Sequence, residues 1–461
     1  MKYNTADTIV ALATPMGAGA LAVVRVSGPR ALPIVNECLK KPIPAQSHQA
    51  HFRHFYRADD TLLDQVVVLF FKAPASYTGE DVVEISSHNN PLIVKGIIER
   101  LTRAGARLAE PGEFTYRAYL NGKMDLTQAE AVAEVIAART QQSLTHSLRH
   151  LTGALRQRIE EIQQQVLKYL ALLEINLDFS EEEIEVLPPE ELQRQLESTI
   201  QQLDRLRASY AYGRLLDEGI RLLFVGRPNV GKSSLLNRVI GEDRAIVSEV
   251  PGTTRDYIEA PAQLDGLLIR AVDTAGVRVT PDRLEAMGIE RTLQQAQRAD
   301  VIAMVFEAPK APEAEDVYLK QLAGEWRQST RHVLGVLNKI DQGEARGWHA
   351  FLRDLQVPVV RVSAKTGEGM AAFREALLEL FADERAYESE GVVVTSERHR
   401  RALEKALSAL HSAKEGVKAG VSDEFLAADI RTALSALGEI VGETTPEDVL
   451  NHIFASFCIG K

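Results

Sequence analysis

Only two cysteines, Cys38 and Cys458, occur in 461 residues. Two are too few for a disulfide framework or a four-cysteine zinc site, so redox structure is set aside. The chain also lacks any apolar run of about 18 residues or more, which excludes an ordinary membrane-spanning helix. Its opening, M-K-Y-N-T-A-D-T, does not follow the basic, apolar and small-residue order of a secretory signal. A cytoplasmic location with no membrane partner is the expectation. Positive charge is scarce as well: 53 Lys and Arg face 64 Asp and Glu, for a formal charge of −11. Broad, salt-driven binding of nucleic acid is thereby excluded, and any RNA contact must be local or shared with a partner.

What is present, 45% hydrophobic and 25% charged residues, suffices for more than one core, and the length predicts about three domains. Up to about Asn121, β-branched runs (Ala22 to Val26, Val66 to Phe71, Val82 to Ile85) alternate with turns. Pro91 to Ala104 there has helical spacing with proline in its first turn. This predicts an α+β domain over 1–121. From Leu126 helical patterns take over, with Thr127 and Glu130 at capping-box spacing and Ala129, Val132, Ala133 and Ile136 on one face, then Ile159, Ile162, Val166, Leu170 and Leu173. The acidic stretch from Ser180 to Glu191 reads as a solvated connector broken by prolines.

Between Gly219 and about Ala382, apolar runs at Leu222 to Val225, Leu267 to Val272, Val301 to Phe306, Val333 to Leu337 and Val359 to Val362 alternate with helical stretches. That rhythm predicts a doubly wound parallel sheet. After Ser396 helices return (Leu403, Leu407, Leu410; Leu426, Ile430, Leu434, Leu437). The fold expected is multidomain: an α+β domain (1–121), a discontinuous α-helical domain (122–215 and 384–461), and an inserted α/β Ras-like P-loop domain (216–383).

The inserted segment carries the chemistry. G-R-P-N-V-G-K-S, Gly226 to Ser233, follows an apolar strand and opens a helix, the setting in which a phosphate-binding loop is expected. Asn229, Val230, Gly231, Lys232, Ser233 and Ser234 are its binding residues, with Lys232 reaching the β and γ phosphates and Ser233 ligating magnesium. Thr253 and Thr254 lie in a loop, and Thr254 suits a second, nucleotide-dependent magnesium ligand. In D-T-A-G (Asp273, Thr274, Ala275, Gly276) the aspartate can hold the magnesium through water and the glycine can offer its N–H to the γ phosphate. N-K-I-D supplies Asn338, Lys339 and Asp341, and the Asp341 carboxylate can accept from both guanine N–H groups. Ser363, Ala364 and Lys365 close the base pocket with backbone donors. One piece is missing: where many such hydrolases place a water-orienting glutamine, this chain has Val277.

The motifs G-R-P-N-V-G-K-S-S-L-L-N, P-G-T-T-R-D and D-T-A-G resemble the potassium-activated GTPases that include the Era, Der and MnmE families. D-T-I-V-A-L-A-T-P, S-Y-T-G-E-D-V-V-E, P-G-E-F, L-N-G-K-M-D-L-T-Q-A-E-A-V and the terminal F-C-I-G-K resemble the MnmE (TrmE) family of tRNA-modification GTPases, along essentially the whole chain. That resemblance accounts for Val277, since the family has an apolar residue there. It implies GTP hydrolysis with Mg2+, stimulated by K+ when two nucleotide domains dimerise. Asn229 and oxygens from Ser248, Val250 and Thr253 would ligate the potassium. Glu249, Pro251 and Gly252 complete the loop at the nucleotide, and Glu285 would position the water, so that Lys232 and Glu285 are the catalytic pair.

The same resemblance implies a second chemistry. With the flavoprotein MnmG (GidA), such proteins form the 5-carboxymethylaminomethyl or aminomethyl group on the wobble uridine of certain tRNAs, using a 5-formyl- or 5,10-methylene-tetrahydrofolate one-carbon donor. The resemblance implies that the N-terminal domain binds the folate and forms a homodimer. Arg25, Glu84, Lys123 and Lys461 match the folate contacts. Cys458, beside Lys461, is a third candidate catalytic residue, weighed against its reading as a small apolar residue. Two departures fall in this domain: S-S-H-N-N (Ser86 to Asn90) keeps His88 but not the family's glycines, and Glu110 replaces a basic residue before P-G-E-F. His88 reads as a loop hydrogen-bonder. The alternative function is a ribosome-assembly switch of the Era or Der kind. Against it stand the single P-loop, where Der has two, and the absence of a trailing G-x-x-G RNA-binding loop.

Overall fold

The computed structural model describes residues 6–17, 19–178, 188–242, 259–272, 295–328 and 332–460. Contacts divide the chain into two units, one of Met1–Ile136, Arg149–Ile200 and Ala402–Lys461, the other of Ala137–Leu148 and Gln201–Arg401.

In the first unit the β-branched runs form strands: β1 (Ile9–Leu12), β2 (Leu21–Ser27), β3 (Ala50–Tyr56), β4 (Leu62–Phe71), β5 (Val82–His88) and the short β6 (Arg107–Leu108). Their order is β3-β4-β5-β2-β1-β6, antiparallel except for β1 with β6. Period-two alternation decides which side chains go inside: along β4, Val66, Val68 and Phe70 are buried while Gln65 and Val67 are exposed. Helix Pro91–Arg103 covers the inner face with Val94, Ile97 and Leu101, against Val24, Val26, Phe55 and Ile85. Proline at its first position loses no helical hydrogen bond, and the Asn90 side chain caps it by accepting from Leu92 N. Arg25, between Val24 and Val26, therefore stands on the opposite face.

Helix Leu126–Ala137 forms as expected, but its cap lies two residues upstream of the predicted one. Asp125 accepts from Thr127 N and Gln128 N, and Gln128 Oε1 accepts in return from Asp125 N. This is a reciprocal capping box on Asp125 and Gln128, with Thr127 hydrogen-bonded to the aspartate. Ile136, expected on the buried face, is exposed. The long helix Ala154–Asp178 buries Ile159, Ile162, Val166, Leu170 and Leu173 and packs along Asp423–Val441, where Leu426, Ile430 and Leu437 are buried and Leu434 half-buried. Helix Glu447–Ala455 sets Phe454 against Tyr116 and Tyr119, with ring centroids 5.2 and 6.2 Å away. Most of the acidic connector, 180–187, lies outside the described residues. Pro189 then starts helix Pro189–Ala208 with Glu190 and Glu191 in the first turn, where the helix dipole favours them.

The second unit holds a six-stranded sheet of β7 (Ile220–Val225), β8 (Glu259–Leu264), β9 (Leu267–Val272), β10 (Val301–Glu307), β11 (His332–Asn338) and β12 (Val359–Arg361), in the order β12-β11-β10-β7-β9-β8. All five predicted runs are parallel neighbours. Strand β10 is buried along its whole length, as helices on both faces require. The sequence reading missed β8, which turns back onto β9 in an antiparallel hairpin through Asp265 and Gly266, both at positive φ. That Asp-Gly pair is a recognised hairpin signal.

Candidate nucleotide site and a second polar site

The P-loop runs from the end of β7 to helix Lys232–Glu242. Its path demands glycine at two positions. A Cβ on Gly226 would stand 2.3 Å from the Val305 carbonyl oxygen, and one on Gly231, with φ +101°, would stand 2.2 Å from Asn338 Nδ2. Lys232 Nζ donates to the carbonyls of Gly226 and Arg227 at 2.7 and 2.8 Å, which fixes its ammonium against the loop. A helix N-terminus, an ammonium and the Ser233 hydroxyl form a donor set suited to phosphates and a magnesium ion.

The base-side loops are bolted to this P-loop. Asn338, only 2% exposed at the end of β11, donates from Nδ2 to Val230 O at 2.8 Å and accepts at Oδ1 from Ala364 N at 3.0 Å. Lys339, at φ +64°, donates to Asn229 O at 2.6 Å and to Glu307 Oε1 at 2.7 Å. Burial pushes the Glu307 carboxyl up, but hydrogen bonds from Lys339 and Lys310 outweigh it and hold it below the ordinary range. Ser363 Oγ donates to Asp341 Oδ1 at 2.7 Å and accepts from Thr366 N, while Ser363 N donates to Glu368 O. Gly231, Ser234, Asn338, Lys339, Asp341, Ser363, Ala364 and Lys365 all line one cleft of about 550 Å³, so the structure brings the P-loop and both base-side motifs together. The other expected nucleotide and potassium residues, Ser248 to Thr254, Asp273 to Gly276 and Glu285, lie outside the described residues, as does Val277.

A second polar site lies on the outer face of the first sheet. Register pairs Arg25 directly with Glu84 across β2 and β5. Arg25 Nε and Nη2 reach Glu84 Oε1 at 2.9 and 2.8 Å, and its guanidinium lies 5.3 and 5.7 Å from the ring centroids of Tyr77 and Phe114. Arg25 Nη1 donates to Gly460 O at 3.3 Å. The tail is seated closely there: a Cβ on Gly460, at φ +95°, would stand 2.3 Å from Leu12 O. Lys123 Nζ donates to Pro74 O, Cys458 is an exposed free thiol, and Lys461 lies outside the described residues. His88 is a hydrogen-bonder, through Nδ1 and its backbone N to the buried Asp64 carboxylate at 2.8 and 2.9 Å, but as the last residue of β5 rather than in a loop. Glu110 donates its backbone N to Glu113 Oε2.

Sequence reasoning missed a charged cluster behind this site. Arg107 pairs with Asp7 and Glu113, and the fully buried Arg117 pairs with Asp7, Glu113 and Glu80. Burial works to raise the Asp7 carboxyl, and hydrogen bonds from Arg107 and Arg117 more than offset it, leaving it below the usual carboxylate range. The Glu113–Arg117 pair has the i,i+4 spacing of one helix face and was open to reading; nothing local marks the Asp7 and Glu80 partners, which lie 110 and 37 residues from Arg117. Among the described residues no helix is long and apolar enough to cross a membrane, and no group of three or more His, Cys, Asp or Glu could hold a metal ion.

A parallel sheet with a phosphate-binding loop after β7 and an Asn-Lys-x-Asp loop after β11 defines a P-loop GTPase domain. The comparisons narrow that class. The family model described as "MnmE helical domain" matches residues 126–458, and "GTP-binding protein TrmE N-terminus" matches residues 8–123. Proteins named tRNA modification GTPase MnmE from Aquifex aeolicus and Carboxydothermus hydrogenoformans are 41% and 39% identical to this chain. The matches cover 99% of this chain and 100% and 99% of those proteins. A solved G domain of the T. maritima FeoB iron transporter matches 35% of this chain and 98% of its own length at 25% identity, with a TM-score of 0.27, an overlap too loose to bear on the fold. The chain belongs to the MnmE (TrmE) family of GTPases.

Proposed function

We propose that this chain is a potassium-dependent GTPase that acts, as a homodimer with the flavoprotein MnmG, in forming the 5-carboxymethylaminomethyl or aminomethyl group on the wobble uridine of tRNA, in the cytoplasm. The observation that carries the nucleotide half is the Asn338 latch, which ties the P-loop at Val230 to the loop at Ala364 and so joins a phosphate site to a guanine-reading site. The tRNA half rests on the whole-length likeness to proteins named tRNA modification GTPases. The working division is an N-terminal folate-binding and dimerisation domain (1–121), a helical domain (122–215 and 384–461) and a GTPase domain (216–383).

In this reading Lys232 binds the β and γ phosphates, Asp341 accepts from the guanine N–H groups, and Glu285 orients the attacking water that Val277 cannot hold. Ser233 and Thr254 would hold magnesium; Asn229, with oxygens of Ser248, Val250 and Thr253, would hold potassium. Bound there, the cations neutralise charge that builds on the phosphates in the transition state. Arg25 and Glu84, with Lys123, Lys461 and the exposed Cys458, form the folate side, where the guanidinium suits a carboxylate-bearing tetrahydrofolate and the glutamate suits pterin N–H donors.

Turnover of GTP in equal concentrations of KCl and NaCl tests the reading. Potassium should stimulate and sodium should not, and Glu285→Ala should slow turnover with nucleotide affinity nearly unchanged. Equal rates in the two salts would overturn the potassium mechanism.

A further inference from the structure

The second residue of the P-loop, Arg227, does not point into solvent as a loop arginine usually does. Its side chain is 8% exposed, and Nε donates to Asp316 Oδ1 at 3.0 Å, an aspartate with no exposed surface. Glu313 also pairs with the same guanidinium. Asp316 is anchored in turn: its Oδ2 accepts from Glu313 N at 2.9 Å, in the first turn of helix Ala314–Gln328. That helix is fixed to the sheet by Leu319, Leu322, Ala323 and Trp326, which pack in one core with Val225 and Phe306. On the loop side, the Arg227 carbonyl is one of the two that accept from Lys232 Nζ.

We propose that Arg227 and Asp316 form a positioning clamp that holds the entrance of the P-loop at the height phosphate binding requires. The inference rests on the GTPase reading above. A buried ion pair is weak support for stability, because desolvation offsets most of the attraction, while removing one partner leaves a buried charge uncompensated. What the pair does supply is a tether: a planar guanidinium held by two carboxylates limits how far the Arg227 backbone can move from helix Ala314–Gln328. The Asn338 and Lys339 bonds hold the later residues, Asn229 and Val230. The clamp holds the second residue of the loop, upstream of those two. A loop released at its entrance still presents a guanine pocket, since no base-side residue touches Arg227 or Asp316 in the contacts described.

The test uses Asp316→Asn, which keeps an acceptor for Glu313 N but removes the charge, and Arg227→Lys, which keeps the charge but not the fork. Displacement of a fluorescent guanine nucleotide gives affinities for GDP and IDP, with thermal unfolding as a check on the fold. GDP affinity should fall about tenfold in Asp316→Asn, the scale of a lost charge-assisted hydrogen bond, and less in Arg227→Lys. The GDP-to-IDP affinity ratio, which reads the base pocket, should stay at the wild-type value. Unchanged GDP affinity in both folded variants would overturn the clamp, and so would an altered ratio, which would assign the pair to the base pocket instead. Failure of the wild-type protein to bind GDP would refute the GTPase reading and the inference with it.

Discussion

Replacing Asn338 by alanine tests how far the two halves of the nucleotide site depend on one side chain. The carboxamide makes two bonds, to Val230 O and from Ala364 N, and is almost wholly buried. Its deletion strands a carbonyl and an N–H. At about 1 kcal/mol net for each bond, with a further penalty for buried groups left unsatisfied, the loss comes to about 2–3 kcal/mol. For a domain of about 150–250 residues that lowers the melting temperature by roughly 4–12 °C. The same free energy sets a ceiling on lost affinity, because a nucleotide must now order both loops as it binds: about 30- to 140-fold, at roughly 1.4 kcal/mol per decade. Water reaching the gap from the cleft restores part of the bonding, so the lower end is expected. Asn338→Asp is the sharper control, since it keeps the acceptor for Ala364 N but sets a carboxylate against the Val230 carbonyl. Thermal unfolding and GDP titration of both variants read the effect. Melting temperature and GDP affinity both indistinguishable from wild type would refute the latch.

Three further outcomes are expected. Asp341→Asn should cost affinity for GTP and favour XTP, because an amide can donate where xanthine carries a carbonyl; retained GTP preference in competition binding would place the base elsewhere. The Glu307 carboxyl is held below its ordinary value of 4.5, so the stability it contributes is full above that value and is lost as pH falls through it toward the lower folded value. Glu307→Gln should therefore flatten the acid limb of a melting-temperature profile below about pH 4.5, and superimposable limbs would contradict the pairing with Lys339 and Lys310. Removing Cys458 to Lys461 takes away the Gly460 carbonyl that Arg25 holds; binding of 5-formyltetrahydrofolate should fall while potassium-stimulated GTP hydrolysis stays largely intact, and full folate affinity would remove the tail from that site.

The parts legible in the sequence are those set by local pattern. Strands β10 and β11 are apolar along nearly their whole length because both faces are covered, and the P-loop was readable because its glycines are forced by contacts within Å of the backbone. Capping was readable in kind but not in place: Thr127 and Glu130 had the right spacing, yet Thr127 lies inside the helix, and Asp125, which immediately precedes that helix, accepts from the first free N–H groups, with Gln128 returning the bond. The β8 hairpin was missed although its Asp-Gly turn announces it. What could not be read were pairings made by topology. Arg25 meets Glu84 only because β2 lies beside β5 in one register, and Arg227 meets Asp316 across 89 residues, so no window of sequence holds both partners. The family resemblance supplied Arg25 and Glu84 as ligand contacts. The structure adds that they also hold each other.

In the proposed function, a guanine-nucleotide cycle in this chain serves tRNA modification. Mass spectrometry of wobble nucleosides from cells lacking the protein tests it directly. Loss of the 5-carboxymethylaminomethyl and aminomethyl uridines, restored by the wild-type chain but not by Asn338→Ala, is the predicted result; a wild-type set of wobble nucleosides in its absence would contradict the account.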